Sequence, residues 1–132
     1  MRLTADTNVL LRAIVADDPR QAKIAQGALR KAERIAVTTT ALCEFVWVAS
    51  RGYRLSSEKI AIAIRALIGS ANVEANRPAV DAGLAILEQG GDFADGVIVF
   101  DGKSLGADCF VSFDKDAVKL LKQQGQTTLH LG

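Results

Sequence analysis

The 132-residue sequence contains only one histidine and two cysteines, the residue types on which Cys-His catalysis and most zinc sites depend. Its one histidine, His130, lies near the C-terminus and away from any acid, which excludes Ser-His and Cys-His catalysis. Its two cysteines, Cys43 and Cys109, are isolated and show no C-x-x-C or Cys/His spacing. They predict buried free thiols rather than a disulfide or a zinc site.

Long hydrophobic runs are also absent. Arg65 interrupts the best candidate, IAIAIRALIG, whereas a membrane span needs roughly 18 apolar residues. The first residues, MRLTADTN, lack the charged and apolar regions of a signal peptide. We therefore expect a cytoplasmic protein with no membrane segment.

The formal net charge is only +1, but the charges are unevenly distributed along the chain. Residues 1–65 carry 11 Lys and Arg against 6 Asp and Glu, and residues 66–132 carry 5 against 9. Part of the excess falls on one face at helical periodicity. This face is interpreted as a solvated surface, or as an RNA-binding stripe if the active site takes a polyanion. Its members are Arg20, Lys23, Arg30, Lys31 and Arg34.

Hydrophobic residues make up 49% of the chain, which is enough for one core, and we predict a single domain over residues 1–132. Segments rich in β-branched residues alternate with segments of helical periodicity. This alternation predicts an α/β class with a mainly parallel sheet covered on both faces. Sheets of this kind bind ligands at the carboxyl ends of their strands.

Capping residues and proline define most of the predicted boundaries. Pro19 suits the first position of a helix, Thr40 suits an N-cap, and Ser56 or Ser57 suits another. The segment 93–106 is ambiguous, because VIVF has strand propensity while the spacing allows a helix. The other predicted strands are 2–6, 34–38, 71–75, 107–113 and 127–131, and the helices are 7–15, 19–33, 41–50, 57–69, 77–89 and 114–125.

The stretch TADTNVLLRAIV at residues 4–15 allows two interpretations of Asp6. Asp6 and Thr7 are residue types that commonly cap a helix. A carboxylate at the end of a strand also points into the crevice where α/β sheets bind ligands. The segment alone does not separate these interpretations.

Four acids fall at comparable places, since Asp6 and Asp114 end predicted strands and Glu44 and Asp95 lie near helix starts. Glu44 is surrounded by apolar residues, and no Lys or Arg lies three or four positions away, so we expect a buried carboxylate balanced by a cation or a distant arginine. If the acids converge, each pair about 4 Å apart repels by roughly 4 kcal/mol at an effective dielectric constant near 20. Oxygen-only ligands suit Mg²⁺ or Mn²⁺, and one or two such ions activate water against a phosphodiester.

Four motifs then carry a resemblance to a known family: DTNVLLR at 6–12, ALCEFVWV at 41–48, DFADGVIV at 92–99 and VSFDKDAVKL at 111–120. In order and spacing they resemble the PIN-domain family, specifically the VapC-type ribonuclease toxins of type II toxin–antitoxin systems. The resemblance covers nearly the whole chain. It implies a three-layer α/β/α PIN-like domain with a mainly parallel central sheet. It also implies metal-dependent cleavage of tRNA or ribosomal RNA, a cognate VapB-type antitoxin and a homodimer.

The resemblance further implies roles for single residues. Asp6, Glu44 and Asp95 match the core metal-binding acids, and Asp114 matches a fourth that often acts through water. Asp92 is a weaker candidate than Asp95, because the recurring acid of the family follows Phe-Ala.

Supporting roles follow from the same resemblance. Asn8 helps to fix the site, the hydroxyls of Thr7 and Ser112 orient acids or water, and Asp116 lies close to the site or simply starts a helix. If the chain cleaves RNA, the basic helix face, Arg12 and the turn RGYR are expected to hold the RNA backbone and to stack a base, and the arginines of this turn are Arg51 and Arg54.

Two features qualify this interpretation. Gly96 stands directly after Asp95, where the family pattern has a better helix former. The segment VIVF is also more β-branched than is usual for a helix there, although the resemblance favours a helix. Phe45 and Trp47 are predicted to be core or subunit-interface residues rather than base-stacking ones.

Two other function classes remain open. An acid-pocket phosphatase or phosphotransfer domain would use Asp6 as a nucleophile or phosphoacceptor. The haloacid-dehalogenase type would want an Asp where this chain has Asn8 and a Ser or Thr where it has Leu10, and a receiver-type lysine is poorly matched by Lys115. A catalytically silent RNA- or antitoxin-binding module would use its acids only to bind an arginine side chain of a partner. Binding of a divalent ion distinguishes the nuclease from such a module.

Overall fold

The computed structural model describes residues 1–132, which divide into two compact units, Met1–Asn76 and Arg77–Gly132. The first unit contains β1 (Arg2–Thr4), α1 (Thr7–Ile14), α2 (Pro19–Lys31), β2 (Arg34–Ala36), α3 (Thr39–Arg51), α4 (Ser57–Ile68) and β3 (Val73–Glu74). The second contains α5 (Arg77–Leu87), α6 (Phe93–Ser104), β4 (Phe110–Ser112), α7 (Lys115–Gln123) and β5 (Thr128–His130).

The first unit is built on a three-stranded parallel sheet with the order β1-β2-β3. Leu3 pairs with Ile35, and Ile35 pairs with Val73 on its other side. Ile35 and Val73 are 1% and 3% exposed, so the sheet contributes directly to the core of this unit. Because parallel neighbours need long crossovers, α1 and α2 connect β1 to β2, and α3 and α4 connect β2 to β3.

The second unit contains a two-stranded parallel sheet, in which Val111 of β4 lies opposite Leu129 of β5. Helix α7 is the crossover between these strands and buries Ala117 and Leu121. Every strand pair in both units is parallel, and helices alternate with strands along the chain. The α/β class with parallel strands predicted from the sequence is therefore confirmed.

Most of the predicted helices and strands are present, although the strands are shorter than predicted. The ambiguous segment 93–106 forms α6, as the resemblance implied, because it buries Phe93 and Val97. The predicted cap Thr40 is wrong, since Thr38 has an extended backbone and its Oγ1 accepts a hydrogen bond from the Ala41 N–H at 3.1 Å. The helix therefore begins before the position that the sequence pattern indicated. Arg34 also lies outside the basic helix face, because it belongs to β2.

Glycine residues allow α5 and α6 to pack closely against each other. A Cβ atom at Gly83 would lie 2.6 Å from Cε2 of Phe93, whose ring is fully buried. A Cβ atom at Gly96 would overlap the backbone carbonyl oxygen of Ala82 in α5. Helix packing therefore explains why position 96 has glycine instead of a better helix former.

Burial corrects three expectations about single side chains. Both cysteines are free, as predicted, but Cys109 is exposed and Cys43 is half-buried. Phe45 is fully buried, whereas Trp47 is 53% exposed and is therefore not a core residue. None of the helices combines the length and the apolar character that a membrane span requires.

Candidate active site

Asp6 lies just beyond β1 and caps α1. Its backbone is extended, and its Oδ1 accepts a hydrogen bond from the Thr7 N–H at 2.8 Å. Thr7 is buried inside the helix, so the cap is Asp6 rather than Thr7. The Asp6 side chain is exposed, and only Oδ1 is used by the cap. Capping and metal binding are compatible here, because one carboxylate oxygen can hold the helix while the other binds a ligand.

Glu44 lies in the middle of α3 with an exposed side chain, so the expectation of a buried carboxylate is wrong. Its apolar neighbours Leu42 and Phe45 are fully buried on another side of the helix. Glu44 instead shares the exposed side with Trp47 and Arg51. The apolar residues around Glu44 therefore belong to the buried side of an amphipathic helix, whereas Glu44 lies on the exposed side. The role of Glu44 as a metal ligand stays a prediction.

Asp95 lies in the first turn of α6 and is half-buried. Burial, followed by the negative charges of Asp92 and Asp114, raises the pKa of Asp95 from 3.8 to about 6. Asp92 itself caps α6, since its Oδ1 accepts a hydrogen bond from the Ala94 N–H at 3.2 Å. The charged neighbours that act on Asp95 are thus both carboxylates, an arrangement that a cation would stabilise.

Asp114 caps α7 just beyond β4, which repeats the position of Asp6 beyond β1. Its Oδ1 accepts hydrogen bonds from the N–H groups of Asp116 at 3.0 Å and Ala117 at 3.1 Å. Ser112 fixes the preceding turn, because its Oγ accepts a hydrogen bond from the Asp114 N–H at 2.9 Å. Asp116 is exposed in the first turn of α7, where an acid suits the helix dipole.

The raised pKa of Asp95 predicts a pH-dependent stability. Between about pH 4 and pH 6 the folded protein binds this proton more tightly than the unfolded chain, so the free energy of unfolding falls as pH rises through that window. Because Asp95 is partly solvated, we expect Asp95→Asn to stabilise the metal-free protein by only about 1 kcal/mol at neutral pH. At about pH 4 the difference should vanish. Urea unfolding in EDTA at both pH values measures it, and an equal difference at both would contradict the assignment.

The first unit also contains Asn8 and Arg12, which line a groove of about 610 Å³ between α1 and α2 together with Ile24. Arg12 forms an ion pair with Asp17. The two carboxylate oxygens of Asp17 lie 2.9 and 3.2 Å from Nη1 of Arg12. The Tyr53 hydroxyl donates to the same carboxylate at 2.9 Å. This network was not predicted from the sequence, and it offsets the charge that Arg12 was expected to offer to RNA.

The two other predicted RNA-binding arginines have different surroundings. Arg51 ends α3, and its guanidinium carbon lies 4.1 Å from the ring centroid of Trp47. Arg54 is exposed in the turn that follows. The binding of RNA by either residue stays a prediction.

The chemistry of these donors fits a hard divalent cation. The acids offer only oxygen atoms, and the charge of Asp95 faces further carboxylates. No three His, Cys, Asp or Glu side chains are arranged in this structure so that they could hold one ion together. Asp6 and Glu44 belong to the first unit and Asp95 and Asp114 to the second, and joint metal binding by all four stays a prediction.

Parallel strands that lead into helices capped by aspartate define an α/β framework with acids at the carboxyl ends of its strands. The PIN domain matches this sequence over residues 4–122, and the chain therefore belongs to the PIN-domain family. PIN domains are generally metal-dependent nucleases, and the predicted three-layer α/β/α fold class is confirmed. No curated protein sequence matches the chain significantly.

Proposed function

We propose that this protein is an Mg²⁺- or Mn²⁺-dependent endoribonuclease of the VapC toxin type, which acts on tRNA or ribosomal RNA in the cytoplasm. The observation that carries the proposal is the surroundings of Asp95, a half-buried carboxylate at the start of α6 whose charged neighbours are Asp92 and Asp114. A carboxylate in such surroundings is unfavourable without a cation. Membership of the PIN-domain family supports the same chemistry.

In this proposal Asp6, Glu44 and Asp95 are the oxygen ligands of the cation, and Asp114 orients the attacking water. When bound, the cation supplies activation of water and stabilisation of charge on the phosphodiester. Because Oδ1 of Asp114 is occupied by two backbone N–H donors, its Oδ2 is the atom suited to accept a hydrogen bond from the water. The water oxygen attacks phosphorus in line as the water loses a proton, and the bond from phosphorus to O3′ breaks as O3′ takes up a proton, which leaves 5′-phosphate and 3′-hydroxyl ends.

Cleavage of total tRNA and ribosomal RNA by the purified chain, free of any partner, tests the reaction directly. We expect discrete fragments in Mg²⁺ or Mn²⁺ and none in EDTA, because the carboxylates alone supply no means of stabilising the charge on phosphorus. End analysis should find 5′-phosphate groups. Equal cleavage in EDTA would indicate a contaminating or metal-independent nuclease and would contradict the proposal.

Metal binding can be measured separately from cleavage. At a Mn²⁺ concentration of about 100 Kd, binding to the folded state alone should add about 2.7 kcal/mol to the free energy of unfolding, or roughly 10 °C in Tm. Asp6→Asn should abolish most of this shift while it preserves the helix cap, since Asn and Asp cap helices about equally well. Asp18→Asn is the matched control, because Asp18 is also the N-cap of a helix, α2, and lies outside the proposed ligands. Equal Mn²⁺ shifts in both variants would exclude Asp6 as a ligand.

The antitoxin and the homodimer are further parts of the proposal. An antitoxin arginine placed among the acids would replace the charge of the cation and would explain inhibition. The two other function classes give different results in the same assays. A phosphotransfer domain would hydrolyse a small phosphate ester but not RNA, and a silent binding module would show no Mn²⁺ shift.

A further inference from the structure

Trp47 is the only tryptophan of the chain, and 53% of its surface is exposed. It lies on α3 one turn after Glu44 and one turn before Arg51. The Arg51 guanidinium carbon is 4.1 Å from the centroid of the indole ring, which places a cation over one face of the ring. The ring is therefore positioned by a charged partner while much of its surface stays open to solvent.

The chain that follows Trp47 carries positive charge without an acid. Residues 45–57 contain Arg51 and Arg54 and no Asp or Glu. Neither arginine takes part in an ion pair, in contrast to Arg12, whose guanidinium is bound by a carboxylate. One cation over an exposed aromatic ring, with a second arginine three residues further along the chain, fits a ligand that combines phosphate groups with flat bases.

The turn after α3 gives the backbone of Arg54 an unusual conformation. Its φ is +55°, a left-handed conformation that is unfavourable for a residue other than glycine. The residues on both sides of Arg54 are hydrogen-bonded: the Leu55 N–H donates to the Ala49 carbonyl at 3.0 Å, and the Tyr53 hydroxyl donates to Asp17 at 2.9 Å. Strain of this kind persists only where the surrounding structure imposes it, and it is concentrated at binding sites.

We propose that Trp47, Arg51 and Arg54 bind a single-stranded segment of RNA, in which one unpaired base stacks on the exposed part of the indole ring. This inference rests on the proposed ribonuclease function and adds Trp47 to the residues that contact the RNA. The phosphates beside the stacked base contact the two arginines. Because Trp47 lies only about 4.5 Å along the helix axis from Glu44, the stacked nucleotide lies close to the proposed metal ligand. Trp47 thereby positions a nucleotide near the cleaved bond, whatever its base, because stacking on an aromatic ring is tolerant of sequence.

A protein partner fits this surface less well. The other exposed residues of α3 are all polar or charged, whereas the centre of a protein interface is depleted of charged residues and rich in apolar ones. They are Thr40, Glu44, Ser50 and Arg51. The subunit interface that the sequence predicted for Trp47, or the docking of an antitoxin there, is the alternative that the experiment must separate from base stacking.

The test uses the fluorescence of Trp47, which reports only this position because no other tryptophan is present. The probe is an unstructured single-stranded RNA of about eight nucleotides, titrated in EDTA so that binding is measured without cleavage. We expect the RNA to quench the fluorescence to saturation at a protein concentration where sedimentation shows no change of oligomeric state. An RNA duplex of the same length should quench much less, because its bases are already stacked.

Variants measured by the anisotropy of a labelled copy of the same RNA complete the experiment. Trp47→Leu should raise Kd about tenfold or more, whereas Trp47→Phe, which keeps an aromatic ring, should stay within about threefold of the wild type. Ile62→Ala, at an exposed apolar residue of α4, is the control and should leave Kd unchanged.

Two outcomes would overturn the inference: saturation of anisotropy without quenching, or an unchanged Kd in Trp47→Leu. If the Trp47→Leu protein with unchanged Kd also dissociates from dimer to monomer, the surface belongs to a second copy. Loss of metal-dependent cleavage with normal quenching would contradict the ribonuclease function alone, so the two failures can be told apart.

Discussion

Asp95→Asn is expected to slow RNA cleavage at least about a thousandfold relative to the wild type. A metal site contributes several kcal/mol of charge stabilisation in the transition state, and each 1.36 kcal/mol corresponds to a factor of ten in rate. The substitution keeps the size of the side chain and removes its charge, so the loss reports on cation binding rather than on packing. Single-turnover cleavage of the RNA identified with the wild type, in saturating Mg²⁺ or Mn²⁺, measures the effect.

Asp101→Asn is the matched control for this prediction. Asp101 is exposed on the same helix, α6, and its replacement removes the same charge. We expect its cleavage rate to stay within about threefold of the wild type, since an exposed charge outside the site is largely screened. Equal losses in both variants would point to the overall charge of α6, and unchanged cleavage by Asp95→Asn would exclude Asp95 as a ligand.

Stability and activity are expected to move in opposite directions at Asp95. If the carboxylate of Asp95 stabilised the folded state, its replacement would make the variant unfold more easily. Asp95 instead has a pKa raised to about 6 by burial and by two other acids, so its charge opposes folding at neutral pH. A more stable and less active Asp95→Asn protein is the pattern of a residue retained for chemistry.

Most helix boundaries, though not the start of α3, could be predicted from the sequence because their signals are local. Pro19 occupies the first turn of α2, and Ser56 caps α4 with its Oγ accepting from the Lys59 N–H at 3.2 Å. Gly125 follows α7 with φ at +87°, as its role as a stop requires. Each of these residues acts within about one turn of its own position, so no knowledge of the fold is needed.

Burial and partners could not be predicted in this way. Glu44 has apolar neighbours in sequence, yet it is exposed, because exposure on a helix depends on which side the rest of the molecule covers. The raised pKa of Asp95 depends partly on Asp114, which comes from a different helix. The bond from Tyr53 to Asp17 likewise joins positions far apart in the sequence. The candidate acids are thus apparent from the motifs, whereas their electrostatic surroundings arise only from the fold.

Gly96→Ala is expected to destabilise the protein by about 3 kcal/mol and to lower Tm by roughly 10 °C, which is the largest stability effect predicted here. The added Cβ would overlap the backbone carbonyl oxygen of Ala82 and come within 2.8 Å of the Gly83 Cα. Backbone atoms cannot rotate away as a flexible side chain can, so α5 and α6 must separate. The separation would also loosen Phe93, whose buried ring packs against Gly83.

Gly27→Ala separates this packing effect from helix propensity. Gly27 lies inside α2, and a Cβ atom there would meet nothing within 4 Å. The same substitution should therefore stabilise the protein by up to about 1 kcal/mol, because alanine favours a helix more than glycine does. Urea unfolding of both variants in EDTA gives the comparison. A gain in stability for Gly96→Ala would show that α5 and α6 tolerate a wider separation. Because Gly96 is adjacent to Asp95, the packing that requires glycine also sets the burial that raises the pKa of the neighbouring acid.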